Sequence, residues 1–325
     1  MLRIYTGRDG HLASADTIHD AGAAAALWFD LLDPTADEVK LIEAHLGIGI
    51  PTRDEMAEIE PSARLYEEDE AEFMTMTVVT NVDGDEPVKA PVTFIVKGSA
   101  LVTVRHADPK PFRIYAAKAQ RPGMAPVASG EAVMLGLMEM LIDRMADTLE
   151  RIGDETDAIS REVFLNKSTS SSKKTRDLQS LIERIGRKGD LLTKVRESLV
   201  SITRLITYHS ARRSPRGPKE IQQHIKLMQR DAASLGDHAI FLSGKINFLL
   251  DATLGLINLE QNQIIKIFSV AAVALLPPTL VASVYGMNFD VMPELHWTFG
   301  YPWALGLMAA SAIIPYLYFK RRGWL

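Results

Sequence analysis

Apolar positions change their spacing near residue 130. Before it they cluster in short β-branched and aromatic runs, and after it they recur at steps of three and four. The runs Leu2–Thr6, Ala26–Leu31, Glu72–Asn81, Val92–Val96 and Ala100–Arg105 read as strands. Asp33-Pro34-Thr35, with Asp37 and Glu38 behind it, reads as a helix start with acidic residues in the first turn. Asp83-Gly84-Asp85 is a tight hairpin signal between two strand-like runs, either a solvated turn or a cation ligand. Residues 1–125 are therefore expected to form an α/β domain. The Pro- and Gly-rich segment from Pro122-Gly123 to Gly130 marks its boundary.

Three helical stretches come next. The first runs from about Glu131 to Asn166, with Met134, Met138, Leu141 and Met145 on one face, and turns back at the polar tip Asn166–Lys174. The second carries Leu178, Leu181, Ile185, Leu192, Val195, Leu199, Ile202 and Ile206 at heptad spacing. Residues 126–217 thus read as an antiparallel long-helix hairpin, closed by Pro215 and Pro218. In the third stretch Ile221, Ile225, Met228, Ala232, Leu235, Ala239, Leu242, Ile246 and Leu249 step by four and three without a miss. No proline lies between Pro218 and Pro277. Residues 218–266 are expected to be a stalk that continues into the apolar run starting at Ile267. At ~1.5 Å per residue, Lys219 to Leu276 would be a rod of about 85 Å. Fused to a membrane span it would act as a lever, softened at Gly236, Gly244 and Gly255.

Two apolar runs close the chain, at residues 267–285 and 298–319. From Ile267 to Phe319 the sole formally charged residues are Asp290 and Glu294. Each run is long enough to cross a ~30 Å hydrocarbon core. Pro277-Pro278 kinks the first, as a span that packs on neighbours or lines a cavity tolerates. Lys266 precedes the first run and Lys320-Arg321-Arg322 opens the basic tail, 320–325, after the second. Both outer ends are therefore expected in the cytosol, with the loop 286–297 outside. Trp297, Tyr301, Trp303, Tyr316 and Tyr318 lie where interfacial aromatics belong. The N-terminus carries charges where a signal peptide needs its apolar core, so the part before the spans is expected to stay in the cytosol.

Composition narrows the function classes. A net charge of −5 and the lack of aromatic-basic interleaving give no reason to expect nucleic-acid binding. The chain has no cysteine, which excludes disulfides, Cys-ligated zinc and thiol catalysis. Its eight histidines are scattered, with no HExxH and no Ser/His/Asp grouping, so an enzyme finds no support.

Two spans per chain cannot enclose an aqueous path, so transport requires several copies in a closed ring. Ser269, Ala272, Leu276, Thr279 and Ser283 form one face of the first span, small or hydroxyl-bearing except for Leu276, which marks this span as pore-lining and the second as lipid-facing. The alternative is that the hydroxyls only satisfy carbonyls freed by the prolines. Asn288 at the outer mouth presents a neutral amide, suited to a hard cation that keeps its waters, as Mg²⁺ does. Asp290 and Glu294 would concentrate cations at the entrance. A potential of 100 mV, negative inside, drives a divalent cation inward by about 4.6 kcal/mol. Influx needs no ATP, and the sequence has no phosphate-binding loop to hydrolyse it.

Tyr285-Gly286-Met287-Asn288 and Met292-Pro293-Glu294-Leu295 resemble the signature tripeptide and the loop of the CorA family of magnesium channels. Leu275-Leu276-Pro277-Pro278-Thr279-Leu280-Val281-Ala282-Ser283, Gly300-Tyr301-Pro302 and Pro315–Arg321 resemble its enterobacterial type, as do Trp28-Phe29-Asp30-Leu31 and Ser62–Asp69 upstream. The resemblance spans the chain and is strongest after Leu249.

It implies a homopentameric funnel in a bacterial inner membrane, with an α/β/α cytoplasmic domain, long stalk helices, two transmembrane helices and both termini cytoplasmic. By the same resemblance Asn288 contacts hydrated Mg²⁺, Gly286 and Met287 shape the mouth, Ser283 and Thr279 line the pore, and Leu276 forms a hydrophobic constriction. Ile265 and Phe268 narrow the pore towards the cytosol, and Lys320, Arg321 and Arg322 form a basic collar. Mg²⁺ is then both cargo and regulatory ligand, with no organic cofactor, and Co²⁺ and Ni²⁺ are further cargoes. Family gating by Mg²⁺ between neighbouring cytoplasmic domains has as candidate ligands Asp231 or Asp237, with Asp83 or Asp85 across the interface. A solvated helix face explains those stalk acids as well. A zinc-transporting relative and a non-conducting membrane-anchored coiled-coil scaffold are the alternatives; Met287 and Glu294 argue against the first.

Overall fold

The computed structural model describes residues 1–8, 10–15, 17–18, 26–84, 86–121, 127–165, 171–213, 218–288 and 292–324. It divides into two compact units. The first holds Met1–Glu162 and Glu183–Phe248, and the second holds Val163–Ile182 and Leu249–Leu325.

The first unit is built on seven strands: β1 (Leu2–Arg8), β2 (His11–Ala15), β3 (Ala26–Leu32), β4 (Leu65–Glu68), β5 (Ala71–Thr80), β6 (Val88–Lys97) and β7 (Ala100–Arg105). They form one sheet in the order β2-β1-β3-β7-β6-β5-β4. Only β3 and β7 run parallel, with Asp30 opposite Thr103. β6 begins four residues earlier than its apolar run predicts, because Pro91 interrupts the pattern without ending the strand. A proline cannot donate to a ladder. Thr77, opposite Pro91, donates its amide to Ser201 Oγ at 2.9 Å.

Alternation along the strands feeds two cores. On one face Phe29, Leu31, Phe73, Ile95, Val102 and Val104 pack with Ile42 of α1 (Ala36–Leu46) and Met56 of α2 (Arg53–Ala57). Both helices start with a capping box, Thr35 with Glu38 and Thr52 with Glu55, as Asp33-Pro34-Thr35 foretells for the first. A short α3 (Pro61–Arg64) leads into β4. On the other face Trp28 stacks on Tyr5 with centroids 4.6 Å apart and meets the edge of Tyr115 on α4 (Lys110–Ala119). A Cβ at Gly136 would collide with that Tyr115 ring, so this position has room only for glycine.

The centre of the sheet holds a buried ion pair. Arg105 donates from Nε and Nη2 to the two oxygens of Asp30, at 2.9 and 2.7 Å. Thr103 donates to the same carboxylate at 2.9 Å and accepts from Trp28 Nε1 at 2.9 Å. The remaining Arg105 nitrogen reaches Asp108 at 2.7 Å. A desolvated pair of this kind persists because its hydrogen bonds are complete.

Long helices come after the sheet: α5 (Gly130–Leu165), α6 (Ser171–Arg212) and α7 (Lys219–Tyr285). The expected polar tip is shorter than its sequence suggests, since Ser171–Lys174 already lie in α6. Of the nine-position seam in α7, Ile221 and Leu235 are half-buried and the rest are buried. Within the first unit, ion pairs Lys188–Glu155 and Arg184–Glu162 join α6 to α5, and Lys245–Asp157 joins α7 to α5.

α7 is one uninterrupted helix of 67 residues that contains Pro277 and Pro278. In the second unit it is followed by a 3₁₀ turn at Pro293–His296 and by α8 (Gly300–Arg321), a helix of 22 residues. The apolar part of α7 and all of α8 are long and apolar enough to cross a membrane, and only 6% of either apolar window is buried.

Candidate functional site

The two apolar helices form a hairpin with distinct ends. At one end Lys266 sits 5.9 Å over the ring of Trp324, whose ring lies 5.1 Å from Phe319. There Lys320 and Arg321 close α8, where cations favour the helix C-terminus, and Arg322 lies 5.6 Å over Tyr318. At the other end Gly286 donates to Ala282 at 3.0 Å and Met287 to Val284 at 3.3 Å, winding the chain tightly off α7. A Cβ on Gly286 would lie 3.1 Å from the Ala282 carbonyl, so a larger residue would press on the turn. Trp297, Phe299 and Trp303 cluster at this end, the two indoles 6.3 Å apart.

Asn288 comes directly after that turn, with its side chain exposed, and makes no hydrogen bond to the described residues. An amide with both its oxygen and its nitrogen open is free to address a ligand. Asp290 lies outside the described residues, as does the side chain of Glu294, whose backbone is in the 3₁₀ turn.

Along α7, Ile265, Phe268, Leu276, Thr279 and Ser283 share one face at steps of three, four and eight, and all are exposed. Phe268 is 72% and Leu276 67% exposed, large for side chains so apolar. Val270, off this face, is buried. Pro277 and Pro278 lack the amides that would bond Val273 and Ala274. Thr279 does not fill that gap, for its hydroxyl donates to Leu275 at 2.6 Å. Its oxygen can still accept a bond from outside the helix. The proline-compensation reading of the hydroxyls therefore does not account for Thr279.

Asp83 is engaged within its own chain. Arg144 and Arg151 bind its two oxygens at 2.6 and 2.7 Å, and Lys110 joins them. The bonds from Lys110, Arg144 and Arg151 hold its carboxyl far below the usual range. A metal ion there would have to displace three cations, which counts against Asp83 as a ligand. Asp85 lies outside the described residues. Asp231 and Asp237 are exposed on α7, and among the described residues no group of three or more acids and histidines is placed to hold a metal within one chain.

The acids that sequence reasoning missed are on α5. Glu139, Asp143 and Asp147 repeat every four residues, a spacing that stacks them on one helix face. Burial raises the Asp143 carboxyl, and repulsion from Glu139, Asp147 and Asp231 raises it further. Asp231 of α7 is near enough to add to that repulsion, though less than Lys118 offsets it.

The comparisons with known proteins agree with one another. The sequence model described as CorA-like Mg²⁺ transporter protein matches residues 23–321. A magnesium transport protein CorA of Pasteurella multocida is 36% identical over 325 residues, covering 100% of both chains. That of Escherichia coli K12 is 35% identical over 326 residues, again covering 100% of both. The complete structure of the CorA magnesium transporter from Methanocaldococcus jannaschii superposes with a TM-score of 0.79, covering 100% of this chain and 99% of that one. At 18% identity it speaks for the fold alone.

Proposed function

This chain belongs to the CorA-like Mg²⁺ transporter family, a family of membrane transport proteins and not of enzymes, and from that membership we propose how its parts carry the ion. Five copies form a ring in the bacterial inner membrane, with the α/β units and both termini in the cytoplasm. The residue divisions are those of the apolar pattern: α/β domain 1–125, helical hairpin 126–217, stalk 218–266, first span 267–285, loop 286–297, second span 298–319 and basic tail 320–325. Mg²⁺ enters with its water shell, drawn by the membrane potential.

The observation that carries this reading is the free Asn288 amide at the end of the hairpin opposite Lys266. A ring of such amides meets the water around Mg²⁺ and leaves the ion hydrated, in keeping with its reluctance to dehydrate. Gly286 and Met287 hold the turn that presents it, and Asp290 and Glu294 supply negative potential at the entrance. Below the mouth Ser283 and Thr279 offer hydroxyl oxygens, Leu276 forms an apolar constriction, and Phe268 and Ile265 narrow the inner half. The exposure of Leu276 and Phe268 in one chain supports their facing other copies across an axis. Lys320, Arg321 and Arg322 ring the inner mouth.

Closure follows when internal Mg²⁺ binds between neighbouring α/β units. The stripe of Glu139, Asp143 and Asp147 with Asp231 is the best donor set, since its mutual repulsion is what a divalent cation relieves. Asp237 is exposed further along the same helix as Asp231 and remains a second donor.

Flux of Mg²⁺, Co²⁺, Ni²⁺ and Zn²⁺ into liposomes holding the purified protein tests the assignment. Mg²⁺ influx that rises with a negative internal potential, with Co²⁺ and Ni²⁺ also carried, is the expected result. Zn²⁺ as the preferred cargo would move the chain to the zinc-transporting reading, and no flux of any ion would leave a scaffold.

A further inference from the structure

Between the sheet and α6 lies a groove of about 670 Å³ that shares no lining residue with the acidic stripe or the Asp83 cluster. Its wall carries four cations, Arg64, Lys89, Arg196 and Arg204, against a single carboxylate, Glu197. Glu197 is already committed to Lys89. Arg196 and Arg204 have no acidic partner among the described residues, and Arg64 bonds only to the Glu58 carbonyl and to Thr77 Oγ1. Burial pulls the Arg64 guanidinium below its usual value, and Arg204 beside it adds repulsion. Elsewhere in the same unit, Arg105, Arg144 and Arg151 all have carboxylate partners. Arg64 and Arg204 thus stand beside each other in the groove wall with no carboxylate bonded to either among the described residues.

The geometry also limits what fills the groove. Arg196, Val200 and Arg204 step by four along α6, so the two guanidiniums are rooted about 12 Å apart. One monovalent anion cannot satisfy both. A chain of phosphates can, because each guanidinium fork binds a phosphate bidentately. Ile59, 85% exposed, and Val200 place an apolar strip beside the cations. The volume is within the range of small-ligand pockets.

We propose that this groove binds a polyphosphate-bearing small anion, with Arg64, Arg196 and Arg204 on the phosphates and Ile59 and Val200 beside any organic part. The site is separate from the pore and does not depend on the pore assignment. Inorganic triphosphate and ATP are the probes, titrated calorimetrically into the full-length protein in detergent without divalent cations. Both are expected to bind saturably, and a tighter fit of ATP would come from the apolar strip. The exposed pair Arg196→Gln with Arg204→Gln removes two charge-assisted contacts and should weaken both by about tenfold or more. Glu197→Gln, which removes the carboxylate from the wall, should tighten them. Mg²⁺ flux in the absence of the anions should be unchanged in all three substitutions, which shows that the variants are folded. Failure of both anions to saturate at millimolar concentration, as when a second copy of the chain covers the groove, would overturn the proposal. So would binding to the double variant that equals wild type.

Discussion

The two units treat polar and apolar groups in opposite ways. In the first, the charges drawn into the fold are answered within the chain: Asp30 by Arg105, Asp83 by three cations, His209 by two carboxylates. In the second, the Asn288 amide finds no described partner, and Phe268 and Leu276 are left open along an apolar stretch of which little is covered. A segment that leaves large apolar side chains bare is not unfinished but is finished by something else, which the proposed function gives as lipid and other copies. The sheet unit is a fold made by one chain. On the proposed function, the hairpin becomes a site only in company.

The strongest way to break this contrast is to make the first unit behave like the second. Arg105→Ala leaves the buried Asp30 carboxylate with only Arg3, 4.0 Å away, as a cationic neighbour, which should cost about 3–5 kcal/mol. Hydrogen exchange in β3 and β7 should accelerate strongly, and protection equal to wild type would show that the sheet does not need the pair.

A smaller effect comes from His209. It is 4% exposed and lies between β5, α5 and α6, donating from Nδ1 to Glu72 at 2.7 Å and from Nε2 to Glu131 at 2.9 Å. Both ring nitrogens donate only in the charged form. Burial disfavours that charge, but the bonds and charges of Glu131 and Glu72 outweigh it and raise the pKa to about 9. The folded value thus exceeds the unfolded value of about 6.5. Its contribution, on the order of 3 kcal/mol, is fully present below pH ~6.5 and is lost as pH rises through about 9. Unfolding midpoints of the wild type should fall over that window more than those of His209→Gln. Parallel curves for the two proteins would refute the clamp.

The smallest effect should come from the hairpin. Phe268→Ala removes no buried packing within the chain, so exchange in the sheet should change by no more than a surface substitution allows, about 0.5 kcal/mol. A large change there would mean that the two units are not independent in this sense.

The contrast also explains what is legible in the sequence. The hairpin is read from contiguous residues: apolar runs, prolines and the Gly286-Met287-Asn288 turn all lie within a short stretch. The α7 seam is equally clear, because helix contacts repeat locally. In contrast, β2 and β4 escape the apolar pattern. Both are sheet edges, paired on one side, and only Leu12 among their residues is buried. The role of Asp83 is hidden for a different reason. Its partners Lys110, Arg144 and Arg151 stand 27, 61 and 68 residues away, and no local pattern announces them. His209 with Glu72 and Glu131 is the same case. The α5 stripe is within reach of the sequence, since Glu139, Asp143 and Asp147 keep a strict four-residue step.

The central claim is that the hairpin end meets the ion, and Asn288 tests it most directly. In proteoliposomes of matched oligomer content, Asn288→Ala should reduce potential-driven Mg²⁺ influx to the background of empty vesicles, with the assembled protein intact. Influx equal to wild type in that variant would contradict the account.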